Sequence, residues 1–351
     1  MILPGSSLYS ILLLVLGLVC WGLWANTFKA TGKWRFELFG FDFAFGMVLA
    51  SLLAALTLGS MGWDGFSFLD DVRNAGKRQD LFAFLGGAVF NLGNLLLLGS
   101  ISMTGISTAI PVGMGIALVT ELIWSYATHP AGSPVVLGLG GLSVAVSVIL
   151  AAVAYRIYAP MVAREEVAAS PSKSKKAKKI SPTKGLIVAS VAGLLIGSYA
   201  PLLDNARDSD VGMGPYSLVF VFSLGVLVTT VVYNLFLMNL PLQGNPVDFS
   251  FYLKGNVRQH GLGMLGGAMW AIGAVAFFVA GKAEGLAQPG AVISYAMGHA
   301  GIALAALSGF LFWKEFSDAD GRIKTFLFIM FIFLATGIGA VAVAPTFTAI
   351  R

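Results

Sequence analysis

The chain has 351 residues, 57% hydrophobic and only 11% charged, with a formal net charge of +5 and a mean hydropathy of +0.84. Soluble domains are about half apolar and a quarter charged, so a water-soluble fold is excluded. Nucleic-acid binding is excluded as well, because the positive excess is gathered in one run, Ser172 to Lys179, between two apolar halves.

Spanning the hydrocarbon core takes about 20 mostly apolar residues. That criterion predicts an all-α, polytopic membrane protein with ten spans, at roughly 8–28, 39–60, 81–101, 105–127, 134–156, 185–204, 214–239, 261–281, 286–313 and 323–346. Glycine, at 43 residues, is about twice as common as usual, which suits helices whose backbones approach closely in lipid. The first span lacks a basic leader and an Ala-x-Ala site, and reads as a retained helix rather than a signal peptide. The sole cysteine, Cys20, leaves no intrachain disulfide and no cysteine-based zinc site.

In chain order, the spans carry few polar residues, and each is a functional candidate because an ionisable group at bilayer depth is costly. Trp21 and Trp24 share a face of the first span, placed either to stack on a planar ligand or to anchor at the interface. Asp42 lies a few residues into the second span, where a proton-coupling role competes with simple stabilisation by the helix dipole. Glu37 just before it reads as a surface partner of Arg35. Asn91 and Asn94, three apart in the third span, are candidate substrate contacts, interhelical hydrogen bonding being the alternative.

The fourth span carries Pro111 and, on one face, Ser107, Met114 and Glu121. A buried Glu121 carboxyl would exchange protons, or else bond a neighbouring helix. Between spans five and six, residues 158–184 form a basic linker that divides a first repeat, 1–157, from a second, 185–351. Tyr199 in the sixth span is the counterpart of Trp24. Gln288, Tyr295 and His299, spaced 7 and 4, fall on one face of the ninth span. His299 suits either a proton carrier or a neutral histidine bonded between helices. Pro289 and Gly290 open that span at nearly the place Pro111 holds in the fourth, and interrupted helices in matching positions point to a binding site. Trp34, Trp63 and Trp313 read as interface residues.

The halves echo each other. Leu85-Gly86-Gly87-Ala88 recurs as Leu265-Gly266-Gly267-Ala268, and Gly93 and Gly105 recur as Gly273 and Gly285. Five spans per half is an odd number, so the second copy enters the membrane with opposite sense, as in the inverted repeats of secondary transporters. Alternate loops hold 16 Lys and Arg against 6. The richer set, with the central linker, is assigned to the cytoplasm of an inner-membrane protein, which leaves both termini outside.

The chain resembles the ureide permease family of the drug/metabolite transporter superfamily. The likeness rests on Gly22-Leu23-Trp24-Ala25, on Asp42-Phe43 followed by Leu49 to Ala55 and Leu56-Thr57-Leu58-Gly59, and on Gly86-Gly87 followed by Leu92-Gly93-Asn94-Leu95. It implies ten helices in a five-plus-five inverted repeat and proton-coupled uptake of small nitrogen-rich compounds such as allantoin and uracil. Plant members carry a Walker-A-like stretch in the central loop. Pro160 to Lys184 contains none, so no nucleotide role is implied.

The expected function is secondary transport of a small polar metabolite through a cavity lined by spans 1, 3, 4, 6, 8 and 9. Asp42, Glu121 or His299 would carry protons, with Na⁺ as the other coupling ion considered. A sugar porter or drug exporter on the same scaffold is the rival reading, and a non-transport membrane protein the remote one. No HExxH, paired CxxC or GxSxG motif occurs, and His129, His260 and His299 are the only histidines, so neither an enzyme nor a metal or other cofactor is expected.

Overall fold

The computed structural model describes residues 1–169 and 182–347. Within them are twelve α-helices: α1 (Ser7–Ala30), α2 (Phe36–Leu56), α3 (Phe68–Asn74), α4 (Lys77–Thr104), α5 (Ile106–Thr128), α6 (Pro134–Ala169), α7 (Pro182–Gly197), α8 (Ala200–Arg207), α9 (Pro215–Asn239), α10 (Val257–Gly281), α11 (Ala291–Leu311) and α12 (Gly321–Val343). Ten segments are long and apolar enough to cross a membrane, α7 and α8 together making one. The run Ser172 to Lys179 and the terminal Arg351 lie outside the described residues.

Several boundaries differ from expectation for local reasons. The second span starts three residues earlier, at Phe36, because the paired Glu37 is tolerated inside. The helix expected to end at residue 156 runs on to Ala169, so the first part of the expected linker is helical. Ala163, Arg164, Glu165 and Glu166 are good helix formers and need no bilayer to continue the helix. The sixth span breaks at Ser198 and Tyr199, and Pro201 then opens α8. The ninth span begins only at Ala291, because Gly290 takes a φ of +83° directly after Pro289. Pro111, by contrast, sits inside a continuous α5 and does not interrupt it.

The helices bury one face and leave the rest apolar. In α6 only 22% of the most apolar 18-residue stretch is buried. Val135, Leu139, Leu142 and Ile149 point outward there, as do Leu8, Leu53, Val232 and Phe236 elsewhere. An exposed hydrophobic belt of this extent fits a bilayer and no aqueous surface.

Polar side chains are held inside. Glu37, expected at the surface, is fully buried, and Arg35 grips it with two bonds at 2.5 and 3.1 Å. Trp34 is likewise buried rather than interfacial, whereas Trp63 is fully exposed.

Packing contacts come in corresponding sets. Helix α4 packs on α9 as α10 packs on α2, and α4 packs on α7 as α10 packs on α1. The closest approaches obey the same exchange. A Cβ on Gly87 would overlap the carbonyl oxygen of Phe222, and one on Gly267 that of Phe43. Gly46 stands equally close to the Met264 carbonyl, and Gly225 to that of Phe84. Small residues at such crossings let backbones touch where lipid supplies no hydrophobic drive.

Gly267→Leu should therefore destabilise the fold by about 3 kcal/mol or more through overpacking. Gly138→Leu, at a position with open space around it, should leave the melting curve in detergent unchanged. Equal melting of the two variants would contradict this packing.

Candidate functional site

Between α1, α4, α5, α7, α8, α10 and α11 lies a cavity of about 360 Å³. These elements correspond to spans 1, 3, 4, 6, 8 and 9. Its floor and walls are aromatic. The rings of Phe90 and Trp270 lie 4.4 Å apart, Trp270 stacks on Phe222 at 5.3 Å, and Tyr199 meets Phe90 edge-on at 5.6 Å. On the α1 side, Trp21 packs against Phe277 at 5.3 Å, and its indole N–H donates to the Trp270 carbonyl at 3.2 Å. Trp24 completes that wall and packs on Phe43.

Among these apolar rings stand a few polar groups. Asn94 lines the cavity, and its amide nitrogen is buried with no hydrogen-bond partner among the described residues. The Tyr295 hydroxyl is in the same condition. A buried donor without an acceptor is costly, and a ligand oxygen placed in the cavity would relieve that cost.

Glu121 and His299 face each other across the upper cavity, Oε2 to Nε2, at 3.4 Å. The other ring nitrogen, Nδ1, lies 3.0 Å from the Tyr295 carbonyl, which can only accept, so Nδ1 carries a hydrogen. Nε2 then faces a carboxylate oxygen, and the contact is a hydrogen bond only if a proton sits on one of the two. A proton bound there would give either imidazolium with carboxylate or imidazole with carboxyl. Charged and titratable groups around it are Asp204 and Arg207 at the mouth, Tyr199 and Tyr295 in the wall, and His129 on the adjoining loop. Arg207 binds Asp204 at 3.1 Å and Asp208 at 2.9 Å, with these side chains 37–55% exposed. The cavity therefore opens at the end where α5 finishes and α8 lies.

Seven of the expected site residues come together here: Trp21, Trp24, Asn94, Glu121, Tyr199, Tyr295 and His299. Three do not. Asn91 turns to α9, where its amide donates to the Val226 carbonyl at 3.1 Å and to the hydroxyls of Thr229 and Thr230, each at 3.0 Å. It is an interhelical tie. Gln288 precedes α11, is exposed, and does not share a helical face with Tyr295 and His299, because the Pro289 and Gly290 break intervenes.

Asp42 is buried away from the cavity. It accepts from Tyr252 at 2.6 Å and contacts His260 Nδ1 at 2.9 Å, with Trp34 packed on both rings. Burial first, and then the bond to Asp42, hold the Tyr252 phenol well above its ordinary range, so it stays a donor.

The cavity also contains residues that sequence reasoning passed over: Phe90, Trp270, Phe277, Asp204 and Arg207. A signal for some of them was available. The offset of 180 that aligns Gly87 with Gly267 also aligns Phe90 with Trp270 and Leu97 with Phe277, and all four line the cavity.

Comparison with known proteins agrees with this arrangement. No curated protein sequence matches the chain. Among solved structures, one described only as the crystal structure of a protein superposes with a TM-score of 0.50 over 95% of this chain and 96% of that one, at 14% identity, and so shares its fold. The family described as Sugar transport protein matches residues 12–343. With ten membrane-spanning segments around a polar-lined cavity, the chain belongs to that family and is a membrane transporter.

Proposed function

We propose that this transporter carries a small polyhydroxylated solute of monosaccharide size, by proton-coupled alternating access between two inverted five-helix repeats. The observation that carries the reading is the unpartnered amide of Asn94, set among aromatic faces in a cavity at the small end of the usual range for ligand sites. A sugar ring offers both complements: hydroxyl oxygens to accept from the amide, and an apolar C–H face to lie on Trp270 or Phe90. The family match supports sugars over the nitrogen-rich compounds implied by the ureide permease resemblance. Uracil or allantoin would stack on the same rings, and remains the rival class.

The inverted repeat is supported by the exchanged packing pairs, above all by Gly87 on Phe222 matching Gly267 on Phe43. Proton coupling is supported by the Glu121 and His299 pair, whose 3.4 Å contact lies beside the cavity mouth and would accommodate one proton. Coupling requires only that the two protonation states favour different facing conformations. The Lys and Arg excess supports placing the ends of α1 and α6 and the start of α12 in the cytoplasm of an inner-membrane protein. In that orientation the cavity faces outward.

Counterflow in proteoliposomes loaded with a labelled hexose should be competed by pentoses and hexoses and not by allantoin or uracil. The opposite pattern would transfer the assignment to nitrogen-rich substrates. Within the site, Asn94→Ala should abolish counterflow with little change in melting. Asn91→Ala should lower stability by about 1 kcal/mol and leave counterflow per folded molecule intact.

Glu121→Gln and His299→Ala should still exchange labelled for unlabelled solute, yet no longer accumulate it when the outside is made acidic. Accumulation that survives both changes, or that follows a Na⁺ gradient instead, would remove the pair from the coupling mechanism.

A further inference from the structure

At the end opposite the cavity mouth, one carboxylate joins three of the helices that build the site. Glu315 sits in the turn between α11 and α12. It is salt-bridged to Lys29 at the end of α1, and it accepts the backbone N–H groups of Ile106 at 3.0 Å and Ser107 at 2.7 Å at the start of α5. Its side chain is only 13% exposed. A carboxylate at a helix start meets both free N–H donors and the positive end of the helix dipole, so Glu315 binds α5 and α1 at once.

Further bonds tie the same three helices together. Asn26 on α1 donates to Ser308 on α11 at 3.0 Å, and Trp313 donates to Asn26 at 2.8 Å. Ser107 on α5 donates to the Ala306 carbonyl on α11 at 3.1 Å.

The backbone around Glu315 is strained. Its two neighbours, Lys314 at φ +52° and Phe316 at φ +64°, are the only non-glycine residues with positive φ among the described residues. For a bulky residue such as Phe this conformation is an outlier, and it persists only when the surroundings hold it. Phe316 is held by stacking on Tyr158 at 4.5 Å and by packing against Phe310. The opposite helix accommodates the carboxylate through Gly105, itself at φ +85°, where a Cβ would stand 2.6 Å from Glu315 Oε1.

Helices α1, α5 and α11 carry Trp21 and Trp24, Glu121, and Tyr295 and His299 respectively. Glu121 lies fifteen residues along α5 from Ile106, about 22 Å at 1.5 Å per residue. At the mouth Arg207 pairs with Asp204 and Asp208, both near it in sequence, and the buried Asp71 carboxylate accepts the Gly214 N–H at the start of α9.

We propose that Glu315 is the latch of a gate at this end. While its carboxylate bridges α1 and α5 the cavity is sealed from that face, and breaking the bridge is the step that opens it. The strained turn stores part of the free energy of release. The inference rests on the alternating-access reading above, but it is testable without any knowledge of the solute.

The test uses Ile302, which lines the cavity on α11. In a Cys20→Ser background, Ile302→Cys is reacted with a membrane-impermeant maleimide from each face in turn, using right-side-out and inverted vesicles. Glu315→Gln and Lys29→Met should each raise labelling from the Glu315 face by about ten-fold, the effect expected of losing a charge-assisted bond. Labelling from the other face should fall only by the population transferred.

Lys29→Met leaves the bonds from Ile106 and Ser107 to Glu315 intact, so it decides the matter even if Glu315→Gln fails to fold. Unchanged labelling from both faces in the folded Lys29→Met variant would overturn the latch, whatever its uptake. A chain that moved no sugar while its labelling responded as expected would overturn the substrate assignment and leave the latch standing.

Discussion

In hydrocarbon an unpaired polar group costs several kcal/mol, and the placement of nearly every hydrophilic side chain in this protein follows from that cost. Glu37 is buried because Arg35 neutralises it, Asp42 because Tyr252 and His260 bond it, and Asn91 because three oxygens of α9 receive its amide. Each is a closed account whose donors and acceptors match. In the cavity the matching is incomplete, as it is at Asn234 on α9. Asn94 and Tyr295 keep unused donors there, and Glu121 faces His299 at 3.4 Å near the mouth.

Close packing makes this economy possible. Where Gly87, Gly267, Gly46 and Gly225 face carbonyls of neighbouring helices, backbones touch and no side chain is needed between them. The same contacts fix α4 and α10 as the two central helices, each bearing one of the paired rings Phe90 and Trp270. Glycine spacing, a feature of the bare sequence, thus sets the width of the chamber between them.

That explains what was legible beforehand. Ten spans follow from hydropathy, and the recurring glycine pairs carry the proposed kinship of the halves. Of the six spans expected around the cavity, five carry the aromatic and polar residues singled out in the sequence, and the eighth corresponds to the third through its glycines. Individual roles were harder to read. Asn91 and Asn94 differ by only about 60° around a helix at 100° per residue, enough to aim one at α9 and the other at the cavity. No spacing rule resolves that angle without the neighbouring helix in place. Gln288 shares a heptad position with Tyr295, but Gly290 at φ +83° ends the helix between them. Glu315 gave no signal at all. As an acidic residue in a short turn it resembled any solvated loop charge, and its meaning depends on Lys29 and the start of α5, which are more than 200 residues away.

The two ends of the bundle are chemically unequal. At the closed end, three helices converge on one carboxylate, and the turn that presents it is strained on both sides. At the open end, the charges of Asp204, Arg207 and Asp208 are satisfied within one short segment and draw no helices together. Two inverted repeats of identical sequence would have two equally stable facing states. In the proposed inverted repeat, divergence between the copies would remove that degeneracy, and Glu315 is one such difference between the ends. The contact between Glu121 and His299 joins α5 and α11, the same two helices that Glu315 helps hold together some four turns away. A small tilt of α5 against α11 would therefore alter both contacts together, the mechanical connection that the proposed alternating access requires between its coupling site and its gate.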